Sequence, residues 1–305
     1  MKRAVLIVNP SSGTEQAPTF AELAATKLRA SFSEVELRYT EQGGDATRFA
    51  REAAESGVHS VFVMGGDGTV SEGINGLAEQ AHRPHFGVFP LGTVNDLART
   101  LGISLDPAEA IAAFDIGRVR PLDIGKVNHS YFSNVVAVGM IPEAINKTSI
   151  ADKSRLGVLA YVKEGLLALT NYEAHQYSIV TEDERRSFES SLLLIGSIGS
   201  IAGIDGLIPA AEPDDGLLHL IYVKDSSTLQ TLRAVPELLR GVSESNPTVG
   251  YLTFRKARLE WLGPSSERAN EDNSDRKPHA NVDGDPGDEL PLNLELLEKH
   301  IDVYY

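Results

Sequence analysis

The chain has 305 residues, 42% hydrophobic and 23% charged, with 28 Lys and Arg against 43 Asp and Glu for a formal net charge of −15. That balance argues against a broad nucleic-acid-binding face and gives no overall attraction to an anionic membrane, leaving only local basic spots such as Lys153 with Arg155 or Arg118 with Arg120. Cysteine is absent, which excludes disulfide frameworks and thiolate zinc sites, and no apolar run reaches the ~18 residues of a membrane-spanning helix.

The opening run Arg3–Asn9 is apolar for too short a stretch to be a signal peptide and reads as a buried strand. A helix follows over Phe20–Ala30, a strand over Glu34–Tyr39, and a helix over Asp45–Ala54 with Asp45 placed to cap it. The pattern repeats as Ser60–Met64 (strand), Thr69–Leu77 (helix), His85–Phe89 (strand), Val94–Leu101 (helix) and Pro107–Phe114 (helix). Alternating β-α units predict a Rossmann-like α/β domain with a parallel sheet over residues 1–118. Beyond it, Ile116–Val127, Ser130–Val138, Gln176–Thr181, Ser190–Ile198, Gly216–Val223 and Ala257–Leu262 read as strands, interrupted by helices Val158–Leu169 and Thr228–Leu239. Residues 119–290 are therefore expected to form an antiparallel β-sandwich domain, and 291–305 a C-terminal return segment. The polar stretch Gly263–Pro278 reads as a mobile surface insertion.

The strongest local signal is Met64-Gly65-Gly66-Asp67-Gly68-Thr69-Val70-Ser71-Glu72, a buried strand ending in glycines and an acid before a helix. Glycines there let backbone N–H groups approach an anion, and the helix start adds partial positive charge. Thr69 is placed either to cap that helix or to bind a phosphate oxygen. The loop is neither a Walker A sequence nor a complete G-x-G-x-x-G, and a tight structural turn is the plain alternative. Asp67 beside a phosphate site calls for a divalent ion or another positive partner. A second loop, Pro90-Leu91-Gly92-Thr93-Val94-Asn95-Asp96, follows the next strand, where Thr93 to Asp96 also suits a helix cap. The first strand ends in a third, Asn9-Pro10-Ser11-Ser12-Gly13. Loops of this kind converge on the carboxyl edge of an open α/β sheet, where such folds bind ligands.

These three loops, with Thr40, Gly44-Asp45-Ala46, Pro209, Asp215-Gly216-Leu217 and Val282-Asp283-Gly284, resemble in order the diacylglycerol kinase catalytic family, which includes bacterial lipid kinases and sphingosine kinases. The resemblance implies an NAD-kinase-like nucleotide domain, a β-sandwich domain, and transfer of the γ-phosphoryl group of ATP to a hydroxyl of diacylglycerol or a related lipid. ATP would be held by Asn9, Pro10, Ser11, Ser12, Gly13, Thr40, Gly66, Asp67, Gly68, Thr69, Val70, Ser71, Glu72 and Thr93. Asp67 and Asp96 would serve the Mg2+-phosphate region, joined by Asp123, for which a turn role is the alternative. A structural Mg2+ is implied at Asp215, with carbonyls from Glu212 and Leu217, against the simpler reading of an Asx turn. The general base of the family is the Glu of Asp-Gly-Glu. Here Asp283-Gly284-Asp285 puts Asp285 in that place, one methylene shorter, with Asp283 as the other candidate.

Two further departures are Thr14-Glu15-Gln16, where relatives place basic residues, and Gly139-Met140-Ile141-Pro142-Glu143, where many have Gly-Phe-Asp-Ala. The apolar side of Gly157–Leu169 either lines an acceptor pocket or is a plain core face. The eight histidines lack the i, i+4 pairing of a metal cluster. The implied enzyme is cytoplasmic, with peripheral contact at the inner membrane face; a homodimer is compatible with the sequence. A kinase for a soluble acceptor of the NAD kinase kind, or a nucleotide-binding homologue that has lost transferase activity, are the competing readings.

Overall fold

The computed structural model describes residues 2–13, 16–139, 174–201, 203–208, 211–224, 249–264 and 277–305. Two compact units divide the chain: Met1–Ile124, Tyr131–Ser133 and Leu297–Tyr305 form the first, and Gly125–Ser130 with Asn134–Leu296 the second.

In the first unit β1 (Arg3–Val8), β2 (Glu34–Tyr39), β3 (Ser60–Gly65) and β4 (His85–Pro90) make a parallel sheet in the order β2-β1-β3-β4. Parallel neighbours need crossover connections, supplied by α1 (Ala17–Leu28), α2 (Asp45–Glu55) and α3 (Asp67–Leu77), with α4 (Asp96–Thr100) and α5 (Pro107–Ala113) after β4. The continuous apolar runs are explained by a helical layer on each face. Leu6, Val8, Phe62 and Met64 pack with Ala17, Ala21, Ala24 and Leu28, whereas Val5, Ile7, Val61 and Val63 pack with Ala46, Ala50, Val70 and Ile74.

The first unit extends beyond the expected boundary at 118. Leu122 and Ile124 from β5 (Val119–Val127), and Ile301 and Val303 from β16 (Leu292–Tyr304), belong to its core. Val303 lies parallel to Phe86 of β4.

The second unit contains an antiparallel six-stranded sheet, β12-β11-β10-β7-β14-β15. Its strands are β7 (Val135–Gly139), β10 (Leu192–Gly196), β11 (Leu218–Val223), β12 (Val249–Phe254), β14 (His279–Val282) and β15 (Asp285–Glu289). A second antiparallel layer joins the first residues of β16 to β13 (Lys256–Pro264), β8 (His175–Thr181) and β9 (Arg185–Ser190). The architecture is the expected α/β domain plus antiparallel β-sandwich.

Local details differ from the sequence reading. Ser130–Val138 is not one strand: β6 (Ser130–Phe132) and β7 are separated at Ser133–Asn134, where the Asp283 carboxylate takes the Asn134 and Val135 amides at 3.1 and 2.9 Å. The polar strand β9 carries no apolar run to betray it. It forms because Thr181 Oγ1 accepts from the Asp183 and Glu184 amides and turns the chain back. Asp45 does not cap α2. The cap position is Gly44, at φ 85°, and Asp45 Oδ2 instead accepts from the Glu41 and Gln42 amides. The sequence-predicted helices Val158–Leu169 and Thr228–Leu239, and most of Gly263–Pro278, lie outside the described residues.

Candidate functional site

The order β2-β1-β3-β4 contains a reversal: after β2 the chain passes to the far side of β1, so the connections leaving β1 and β3 diverge at their carboxyl ends. Such a switch point opens a crevice where open α/β sheets bind ligands. The sheet ladder continues past the strands into the loops, with Thr40 N–H to Val8 O (2.9 Å), Asn9 N–H to Met64 O (2.9 Å) and Leu91 N–H to Gly65 O (2.8 Å). All three glycine-bearing loops and Thr40 therefore share one sheet edge.

Side chains then fix the loops to one another. Asn9 Nδ2 donates to Thr69 Oγ1 at 3.1 Å, and its Oδ1 accepts the Ser11 amide at 3.0 Å. Thr69 thus ties α3 to the first loop rather than capping its own helix, whose cap residue is Gly66 with no side-chain bond. Asp67 accepts the Asn95 and Asp96 amides, each at 2.8 Å, one on each carboxylate oxygen. Both Asp67 oxygens thus face backbone N–H groups at the start of α4. Asn95 adopts φ 57° and bonds both ways to Gly92, Gly92 N–H to Oδ1 at 2.9 Å and Nδ2 to Gly92 O at 2.8 Å. The Thr93–Asp96 capping arrangement is replaced by this closed Asn95 turn.

The glycines separate by role. A Cβ on Gly92 would lie 2.6 Å from the Gly66 Cα, so two backbones touch there and no side chain fits between them. Gly68, exposed in the first turn of α3, would point a Cβ into open space. The first-turn amides of α3 have no intrahelical carbonyl to bond, and Ser11 and Thr93 in the neighbouring loops are exposed. Val70 and Ser71 are buried, Val70 within the core, and Glu72 Oε2 accepts the Ala46 amide at 3.0 Å, acting as the cap that Gly44 lacks. No Lys or Arg occurs in residues 9–13, 40–46, 65–72 or 90–96. An anion held by these loops is bound by amides and hydroxyls.

Asp96 is 5% exposed at the N-terminus of α4, and Asp123 is fully buried on β5, where its Oδ1 accepts the Lys299 amide of β16 at 2.6 Å. In the second unit Asp283 is 9% exposed and committed to the Asn134 and Val135 amides, whereas Asp285 is exposed on β15. Asp215 Oδ1 accepts the Leu217 amide at 2.9 Å; its Oδ2 accepts the Glu212 amide at 2.9 Å and lies 3.0 Å from His219 Nε2. Burial works to raise this carboxyl, but His219 and the two amides outweigh it and hold the group below its ordinary value. Magnesium wants octahedral oxygen ligation. Here the acid's oxygens already face three N–H groups, and among the described residues no three His, Asp or Glu side chains converge as a metal set. The structural magnesium expected at Glu212, Asp215 and Leu217 does not fit these atoms; they form an Asx turn.

Sequence reasoning missed Asn95, and also Asn75, whose amide donates to Tyr131 O and accepts the Tyr131 amide, at 2.9 and 3.0 Å. Asn95 precedes a helix start and is a residue type that tolerates positive φ, a signal available in the sequence; nothing local marked Asn75.

The family profile described as "Diacylglycerol kinase catalytic domain" matches residues 3–127, and "YegS C-terminal NAD kinase beta sandwich-like domain" matches residues 134–305. A diacylglycerol kinase of Staphylococcus epidermidis is 35% identical over 303 residues, spanning 99% of this chain and 92% of the relative. One of Staphylococcus saprophyticus is 34% identical over 303 residues, spanning 99% and 95%. The crystal structure of a diacylglycerol kinase from Bacillus anthracis superposes with a TM-score of 0.75 at 26% identity, covering 100% of this chain and 96% of that one. The chain belongs to the diacylglycerol kinase catalytic-domain family.

Proposed function

We propose that this protein is an ATP-dependent lipid kinase that transfers the γ-phosphoryl group of Mg·ATP to a hydroxyl of diacylglycerol or a closely related lipid. The observation that carries the reading is the shared edge of the three loops, clamped by Asp67 on the Asn95 and Asp96 amides. The space beside Gly68 is open, and the start of α3 offers the unpaired first-turn N–H groups that suit a phosphate. The lack of basic residues in these loops favours the magnesium complex of the nucleotide over free ATP, with the ion entering as part of the substrate.

Phosphoryl transfer is mainly positioning and charge stabilisation. The acceptor oxygen attacks the γ-phosphorus, the bond to the β-phosphate oxygen breaks, ADP leaves, and the hydroxyl proton passes to a carboxylate. Of the two acids in Asp283-Gly284-Asp285, Asp283 is held by backbone amides and Asp285 is exposed, which favours Asp285 as the base. Asp67 and Asn95 act as positioning residues for the loops. Among the described residues no helix is long and apolar enough to cross a membrane.

The test is transfer of radiolabelled γ-phosphate from Mg·ATP to dispersed diacylglycerol, to NAD and to sugar phosphates in parallel. Label in phosphatidic acid is expected. Label only in a soluble acceptor, or nucleotide binding with transfer to nothing, would overturn the lipid kinase reading.

A further inference from the structure

We propose that His219 takes the place of a bound cation at the Asp215 turn, so that this turn is complete without a resident metal ion. His219 lies on β11 four residues after Asp215, with its side chain only 1% exposed. Its Nε2 is 3.0 Å from Asp215 Oδ2, and its Nδ1 is 2.6 Å from the Tyr251 hydroxyl on β12. The imidazole is therefore pinned from both sides and links three places in the chain: the turn, β11 and β12.

The chemistry of the carboxylate settles which group donates. An ionised carboxylate only accepts, so the His219 nitrogen facing it carries the hydrogen. With the Glu212 and Leu217 amides this makes three donors on one acid, against roughly four lone-pair positions. A magnesium ion ligates at about 2.0–2.1 Å and demands near-octahedral oxygens; it cannot share the side of Oδ2 that the imidazole fills. Displacing the ring would strip a partner from a buried histidine and from the Tyr251 hydroxyl. Buried polar groups left unpaired cost more than the bonds they made.

Among the described residues no group of three His, Asp or Glu side chains gathers as a metal set. Glu212 is exposed, and Asp205 is 3.3 Å from the Ser200 hydroxyl. What a cation does at such a turn is neutralise the acid and fix the backbone around it. His219 supplies the opposing donor, and the Glu212 and Leu217 amides close the loop.

The experiment uses the full chain without nucleotide, so its outcome is independent of the kinase reading. Thermal unfolding is followed in EDTA and in excess MgCl2 for the wild type, His219→Asp, His219→Gln and Asp215→Asn. The wild type is expected to unfold at the same temperature in both buffers. His219→Asp sets two carboxylates face to face; it should unfold earlier in EDTA and regain stability as Mg2+ is added. His219→Gln keeps an N–H donor and should remain indifferent to Mg2+, which preserves the test if His219→Asp fails to fold. Magnesium content after dialysis against MgCl2 should be equal in the wild type and Asp215→Asn. A saturable rise in the wild-type midpoint with Mg2+ that disappears in Asp215→Asn would overturn the proposal. So would a His219→Asp protein as stable in EDTA as the wild type.

Discussion

The loops of the first unit and the acidic turns of the second handle charge in different ways. At the β1, β3 and β4 ends the groups proposed to meet a ligand are backbone amides, and the side chains Asp67, Asn9 and Asn95 tie those loops together. At Val282–Asp285 and Glu212–His219 the backbone is instead the support, its amides gripping Asp283 and Asp215. The first arrangement spreads binding over many small groups. In the second, the proposed mechanism assigns the chemistry to one exposed carboxylate, Asp285. Damage should therefore look different in each: misplacement in the first, all-or-none loss in the second.

The sharpest way to break the contrast is Asp285→Asn. General-base catalysis contributes on the order of 100- to 10,000-fold, so turnover should fall by that range with no change in unfolding temperature, while Asp285→Glu keeps or raises it. An Asn variant with full activity removes Asp285 as the base. Next in size is Asp67→Ala, which releases two amides and lets the Gly92–Asp96 loop drift. A shift of ~1 Å can cost ~100-fold in rate, so kcat/KM should drop by about that factor. Activity near wild type would show that the clamp does not position the loop. Gly92→Ala forces a Cβ to within 2.6 Å of the Gly66 Cα; overpacking of this kind costs about 1–3 kcal/mol, which denaturant unfolding should register.

The smallest effect concerns pH, at His59. Burial first, then Lys2, His85 and His82, hold this imidazole below its ordinary value. The unfolded chain therefore takes up the proton first as pH falls below the unperturbed pKa of ~6.5. The contribution is present above that pH and is lost as acidity rises towards the folded value. Denaturation midpoints measured from pH 7.5 to 5.5 should decline, and decline less in His59→Gln; parallel slopes would remove His59 as the source.

Much of this was legible in the sequence where the fold repeats a simple physical rule. Continuous apolar runs marked β1 and β3 because both faces are covered, and glycine spacing marked the loops because backbone must approach backbone at Gly66 and Gly92. What escaped depended on partners distant in sequence. Asp67 meets amides 28 and 29 residues away, Asp283 meets amides 149 and 148 residues away, and Asn75 meets Tyr131 across 56. The surroundings of Asp215 escaped for the same reason, since residue types at a turn do not reveal that His219 and Tyr251 bond beside it.

Gly68→Ala offers the most direct test of the phosphate cradle. Beyond its chain neighbours and its own helix backbone, the added methyl meets nothing within 4 Å, so the fold should be kept and a ligand beside the loop should feel it. Titration calorimetry of Mg·ADP into the wild type should show one saturable site, weakened at least ~10-fold by Gly68→Ala, or about 1.4 kcal/mol of binding free energy, at an unchanged unfolding temperature. No binding by the wild type, or equal binding by both proteins, would contradict the account.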